Sequence, residues 1–362
     1  MRDKKYCVWL SSIPGIGSIS CLSLIRYFGS AENVYHCSFS ELMSSGIIRE
    51  QTANTVIEHR NIGNTDEYLG MMKENGIKVY TIFENEYPEN LRNIYDPPPV
   101  LYVKGELKEE DSLSIGIVGS RKASDYGLKM AHRIASRLAE LGITIVSGMA
   151  LGIDSAAHKG ALAVKGRTIA VFACGHKYVY PMSNYRLSQE IQKSGAIITE
   201  YPYDTEAFAP QFPARNRIIS GMSLGVIVVE AGEKSGSLIT ADFALEQGRE
   251  VFAVPGNITS PNSKGTNSLI KNGAKLVSKI EDITEELNLN MIYRVKKDID
   301  NSVRPDISAE ERRILELLKI KGGDKDSITA ATGLQPSKIA AALTMLEIKG
   351  IIQQVGGIYL LI

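Results

Sequence analysis

The chain has 362 residues, of which 44% are hydrophobic and 23% charged. That balance excludes a disordered or fibrous chain, and at roughly 100–200 residues per domain it indicates two or three globular domains. Lysine plus arginine equal aspartate plus glutamate at 41 each, so no overall field steers the molecule toward polyanions and any phosphate binding has to come from local grouping.

The mixed start, Met1-Arg2-Asp3-Lys4-Lys5, is followed by no long apolar stretch, and no later run approaches membrane-spanning length. The expectation is a cytoplasmic protein with no membrane contact. Cys7, Cys21, Cys37 and Cys174 form no CxxC pair and sit in no histidine cluster. A disulfide framework and a zinc site are therefore both disfavoured, and a reducing cytosol fits.

Apolar residues recur at helical spacing over 9–58, interrupted at Pro14-Gly15-Ile16-Gly17 and Gly29-Ser30, which predicts a small all-helical domain over 1–75. The segment Ile13-Pro14-Gly15-Ile16-Gly17 resembles the hairpin of helix-hairpin-helix modules, but the next helix offers only Arg26 as a cation. A tight interhelical turn in a packing or protein-contact domain is the plainer reading. A connecting extension over 76–113, packed on the core, carries a short strand at 78–82 and then Asp96-Pro97-Pro98-Pro99, whose prolines cannot donate to a ladder.

From 114 the pattern changes to short apolar runs at 115–118, 143–146, 168–172, 196–199, 226–229 and 251–254, separated by glycines and helical stretches. Such runs suit strands buried on both faces, joined by right-handed crossovers. The fold class is α/β, with a Rossmann-like doubly wound, mostly parallel sheet over 114–280. A linker over 281–305 leads to helices at 309–318, 327–332 and 336–349 and a hairpin through Gly356-Gly357, the order of a winged helix over 306–362. Its third helix offers Lys338 and Lys349 and no Arg, Asn or Gln to read base edges, so a protein-contact or accessory role is favoured.

Three loops at strand ends carry the candidate chemistry. Gly119, Ser120 and Arg121 follow the first run, just before a helix opening near Tyr126. Free N–H groups, a hydroxyl and a forked cation there suit phosphate, although a plain strand-to-helix turn with a solvated arginine has the same appearance. Ser147 and Gly148 lead a second loop reaching Asp154, and Ser235, Gly236 and Ser237 precede a helix starting near Leu238. The carboxyl ends of parallel strands share one edge, so these loops converge on an anion site.

The sharpest segment is Phe212-Pro213-Ala214-Arg215-Asn216-Arg217, ahead of a helix at 218–222. A ring to stack on an unpaired base beside two guanidiniums suits a single strand. In the alternative, Phe212 is core and one arginine pairs with an acid such as Glu200 or Glu230.

These segments, together with 251–256 and 265–270, resemble the DNA processing protein A family (DprA, also called Smf), over the whole central domain and more weakly over both flanks. The resemblance implies a recombination mediator that binds and protects incoming single-stranded DNA in natural transformation, loads RecA on it, pairs as a homodimer around 245–270, and uses no catalysis and no cofactor or metal. Carried over by motif, Ser120 and Arg121 would contact phosphate and Phe212 would stack on a base. Arg215, Asn216 and Arg217 would line the pocket, and Ser235, Gly236 and Ser237 would supply donors. Family members often carry a basic residue where this chain has Ala209. A missing contact would make binding weaker and less salt-dependent, by roughly 0.7 log units, unless Lys122, Lys159 or Lys177 substitutes.

Two other readings compete with that one. The central domain also looks distantly like phosphoribohydrolases of the lysine-decarboxylase-like group, but the glutamate their chemistry needs is Thr240 here. Asp154, His158, His176 and Glu230 are the remaining imaginable acids and bases, with Asp154 suited to an N-cap and His158 to packing. A static mononucleotide pocket is the third class; a repeating polymer suits the Phe-x-x-Arg-Asn-Arg strip better.

Overall fold

The computed structural model describes residues 2–289, 308–318, 323–349, 351–355 and 358–361. The expected linker beyond 289 and the Gly356-Gly357 turn lie outside them. The chain divides into two compact units, Met1–Leu289 and Asn290–Ile362. The boundaries expected near 75 and 113 fall inside the first unit.

The first unit opens with helices α1 (Arg2–Ser12), α2 (Ser18–Phe28), α3 (Ala31–His36), α4 (Phe39–Ser44), α5 (Glu50–Glu58) and α6 (Ile62–Glu74). Ile13 and Ile16, at the turn between α1 and α2, are both buried, and Gly15 takes φ +87 there, a conformation that favours glycine. Then come β1 (Ile77–Thr81), α7 (Glu89–Arg92), β2 (Val100–Gly105), β3 (Ser114–Val118), α8 (Asp125–Glu140), β4 (Thr144–Ser147), α9 (Ile153–Ala163) and β5 (Thr168–Val171). The unit continues with α10 (Tyr185–Ser194), β6 (Ala196–Thr199), α11 (Gln211–Met222), β7 (Gly225–Val228), α12 (Gly236–Glu246), β8 (Glu250–Ala253), α13 (Lys264–Lys271), β9 (Lys275–Leu276) and α14 (Glu281–Glu286).

The sheet order is β1-β2-β6-β5-β4-β3-β7-β8-β9. From β6 to β9 every pairing is parallel, while β1 with β2 and β2 with β6 are antiparallel. All six apolar runs are strands, and β3 to β7 are buried at every position, as strands covered on both faces must be. The chain leaves β3 toward β4, β5 and β6 on one side, and β7, β8 and β9 fill the other. The carboxyl ends of β3 and β7 therefore flank the switch point where ligands of doubly wound sheets bind.

The antiparallel edge ties the helical region to the sheet. Tyr6, Trp9, Leu10 and Leu24 share one buried cluster with Val79, Val100 and Tyr102, and the backbone N–H of Tyr203 donates to the Tyr68 hydroxyl at 2.8 Å. The four cysteines are free and buried. Among the described residues, no helix is long and apolar enough to cross a membrane.

The second unit has α15 (Ala309–Leu318), α16 (Lys325–Thr332), α17 (Pro336–Ile348) and a hairpin of β10 (Ile352–Val355) and β11 (Ile358–Leu361), the expected winged helix. Both cations at α17 are engaged: Lys338 lies 3.4 Å from Glu310 and Lys349 2.7 Å from Glu311. These pairs add to the argument against a base-reading helix.

Candidate functional site

A cavity of about 590 Å³ opens at the switch point, lined by Gly119, Ser120 and Arg121 after β3, Ala150 and Asp154 after β4, and Ser235, Gly236, Ser237 and Thr240 after β7. The three loops that strand topology predicts to converge therefore face a single space. Its remaining wall is the start of α11, with Phe212, Arg215, Asn216 and Ile219, and Tyr180 beside Phe212.

The segment expected to stand ahead of a helix at 218–222 is itself helical from Gln211 onward, and Pro213 is tolerated in the first turn, where a missing N–H costs no intrahelical bond. Helical spacing then sorts the side chains. Phe212, Arg215, Asn216 and Ile219 fall at i, i+3, i+4 and i+7, on one face, whereas Arg217 lies roughly 200° around the axis from Arg215.

Arg217 is accordingly not a cavity residue, which corrects the expectation that it lines the pocket. It is 6% exposed, its Nη2 is 2.5 Å from Glu200 and its Nε 3.1 Å from Asp96, and it donates to the Ser18 hydroxyl at 3.3 Å. The alternative reading, an arginine paired with Glu200, describes it. Ser147 is also displaced from the site: its side chain is fully buried and its hydroxyl donates to Ile117 O at 2.6 Å, as the sheet pleat directs it inward. Gly148 is absent from the cavity surface and lies under Arg215, where an added Cβ would come 2.5 Å from Nη2.

Arg215 forms part of the cavity floor and is 4% exposed. Its Nη1 donates to Gly148 O at 2.7 Å and also to Val171 O, and its Nε donates to the Asn216 amide oxygen at 3.2 Å. Burial pulls its guanidinium down to about 10, with Asp154 the main opposing influence, so it is charged at neutral pH. Burial pushes the Asp154 carboxyl up, opposed first by Arg215 and then by the N–H groups of Ala150 and Gly148. Asp154 lies within α9, whose N-cap is Gly152, so it braces the loop instead of capping the helix.

Arg121 is the exposed cation of the site. Its guanidinium lies 5.0 Å from the centre of the Phe212 ring, and the Tyr180 ring is 5.3 Å from Phe212 on centres. The loop carrying Arg121 is held from behind: Ser120 N donates to Glu230 O at 2.8 Å, and Ile153 N donates to Ser120 O at 3.2 Å. Gly152, at φ +77, is pressed so closely on this loop that an added Cβ would lie 2.2 Å from Ser120 O. The Ser120 hydroxyl accepts from Lys122 N at 3.1 Å.

The helix opening near Tyr126 does not offer its N–H groups to the cavity. Its N-cap, Ser124, accepts from Gly127 N, and the Glu230 carboxylate accepts from Ser124 N at 2.8 Å, so an anion of the chain itself occupies that dipole end. The helix end left for a ligand is that of α12. There Ser235 caps Ser237 N, the two hydroxyls meet at 2.7 Å, and nothing lies within 4 Å of where a Gly236 Cβ would be.

Thr240, read from sequence only as the loss of a catalytic acid, is 1% exposed, and its hydroxyl has no hydrogen-bond partner on the cavity wall. Tyr180 and Ala150 were also missed. Tyr180 lies in the loop after β5 (Thr168–Val171), which carries no phosphate-binding signal; Ala150 lies inside the named loop but is chemically silent. His158 is buried against the Thr168 hydroxyl at 2.7 Å, and burial drives its imidazole down to about 3. His176 bonds to Tyr102 O at 3.0 Å and is pushed down to about 4, chiefly by burial. Both are neutral packing groups at neutral pH.

The arrangement can grip an anionic, ring-bearing chain. A cation held over an aromatic face, a hydroxyl-rich helix end and an apolar shelf offer phosphate and base contacts together.

The chain is also similar to known proteins. The sequence model of the family described as DNA recombination-mediator protein A matches residues 78–288, and that of the DprA winged helix domain matches 301–357. The chain is 41% identical to Protein Smf of Escherichia coli over 75% of this chain and 74% of the other. It is 46% identical to DNA processing protein DprA of Bacillus subtilis, over 60% and 74% respectively. The X-ray structure of DprA from Streptococcus pneumoniae superposes with TM-score 0.69 at 33% identity, covering 78% of this chain and 97% of that one. DNA processing protein A from Helicobacter pylori, whose structure is described for its single-stranded DNA binding mode, superposes with TM-score 0.54 at 33% identity over 59% and 96%.

Proposed function

Because the chain belongs to the DNA recombination-mediator protein A family, we propose that its cavity binds single-stranded DNA, with Arg121 and the α12 N-terminus on phosphate and Phe212 stacked on a base. The observation that carries this is the guanidinium of Arg121 held 5.0 Å over the Phe212 ring at the mouth of a cavity of about 590 Å³. An unpaired strand presents both partners for that pair; a duplex hides its base faces.

The test compares a labelled single strand, the matching duplex and unlabelled mononucleotide at two salt concentrations. The strand should bind most tightly, millimolar mononucleotide should barely displace it, and Arg121→Ala should weaken binding similarly across sequences while lowering the slope of log affinity against log salt by roughly 0.7. Equal affinity for duplex, or displacement by mononucleotide, defeats the reading.

The finer role follows family resemblance: protection of incoming DNA during natural transformation in the cytoplasm, and loading of RecA, without catalysis or a cofactor. Pairing of two copies around 245–270 likewise follows family resemblance; Leu245 and Ile258 are exposed there, at 61% and 84%. Light scattering at micromolar concentration should report a dimer, and RecA should be retained by immobilised protein carrying a bound strand. A monomer, or no retention, removes the corresponding part.

A further inference from the structure

A second concave surface, of about 510 Å³, lies between α8 and α9 and includes Lys129, His132, Lys159, Leu151, Ser155 and Asn184 in its lining. No acidic residue lines it. Lys129 and His132 are one turn apart on α8, and Lys159 faces them from α9. The two helices approach closely because residue 160 is glycine: an added Cβ there would lie 2.3 Å from His132 O. The three basic side chains are exposed and have no hydrogen-bond, ion-pair or ring partner among the described residues.

This groove adjoins the cavity. Ala150 lines the cavity, and Leu151 and Gly152, the next residues of the same turn, line the groove. Leu151 is 49% exposed and stands on the ridge between them.

We propose that the groove is a second subsite for the same polynucleotide: a single strand held in the cavity continues over Leu151, with its phosphates against Lys129, Lys159 and His132. The proposal rests on the single-strand reading of the cavity. Charge complementarity and continuity favour this occupant, since a chain leaving the cavity over the shared turn at Ala150–Gly152 meets a basic cleft with no acid in its lining. The apolar lining by Leu128, Leu151 and Ala156 fits exposed base and sugar faces, which a duplex keeps inside.

The test is the double variant Lys129→Ala/Lys159→Ala in the full chain, with Lys73→Ala/Lys78→Ala, also exposed lysines, as the charge-matched control. Oligothymidylates of about six and about thirty nucleotides serve as probes, short enough to fill one site and long enough to cross both. The expected result is unchanged affinity for the short probe and, at about 0.1 M salt, a loss of roughly tenfold or more for the long one. The salt slope for the long probe should fall by about 1.4, for two lost single-strand contacts. No difference from the control on the long probe overturns the groove while the cavity reading stands. Equal loss on both probes places the lysines in the cavity and also overturns it. Failure of the unaltered protein to bind either probe ends the cavity reading, and this one with it.

Discussion

Arg217→Ala is expected to damage stability and leave single-strand affinity nearly unchanged in the protein that remains folded. The substitution strips a largely buried carboxylate, Glu200, of a partner 2.5 Å away, and Asp96 of one 3.1 Å away. Removing one member of a buried pair costs roughly 3–5 kcal/mol because the other charge stays uncompensated. The lower end applies here, since the Asp96 side chain is 31% exposed and water can replace its partner.

The loss should also depend on pH. Burial raises the Glu200 carboxyl, and Arg217 is the main influence drawing it back. A carboxyl whose folded value lies above its unfolded one favours the folded state while protonated, and that contribution is lost as pH rises from about 4.3 upward. Without Arg217 the rise is larger, so the variant's deficit against the parent should be greater at neutral pH than at mildly acidic pH. Denaturant midpoints of both proteins at the two pH values measure this. A pH-independent deficit would show that Glu200 is not the group left behind, and a selective fall in DNA affinity would return Arg217 to the binding surface.

Phe212→Ala should give the largest loss of binding from a single side chain. Stacking of one base on one ring is worth about 1–3 kcal/mol, or roughly 5- to 150-fold in affinity. Phe212 also supports the Arg121 guanidinium, so its removal frees the cation to wander and weakens the phosphate contact with it. The double variant with Arg121→Ala should therefore lose less than the sum of the single losses, as linked partners do. Because Phe212 is only partly buried, its thermal unfolding should stay close to that of the parent. An unfolded variant would instead make the ring a core residue, and additive losses would separate it from Arg121.

Much of the sheet was readable because strands covered on both faces need uninterrupted apolar runs, and those runs stand between glycines. The antiparallel edge was less legible. Val100–Gly105 follows three prolines that mark a boundary, yet those prolines end just before the strand begins, where a missing donor is tolerated. Lys275–Leu276 is two residues long and exposed, too short for any periodicity to show.

At the site, loop convergence followed from strand polarity alone. The error at Arg217 came from treating Phe212 to Arg217 as a strip. Once Pro213 is allowed in a first turn, a helical wheel separates the two arginines and leaves Arg215 facing the cavity. The loss of the Tyr126 helix end to Glu230 could not be read in advance, because the two are joined only by the β3–β7 pairing.

The antiparallel edge also limits how the protein can be taken apart. A truncation at residue 75 would uncover Val100 and Tyr102, and one at 113 would remove β2 itself and strip β6 of its outer neighbour. Fragments made that way would suffer from a torn hydrophobic interior, so any defect they showed would say little about what the amputated helices do. The division between the two compact units, at 289/290, is the better place to cut.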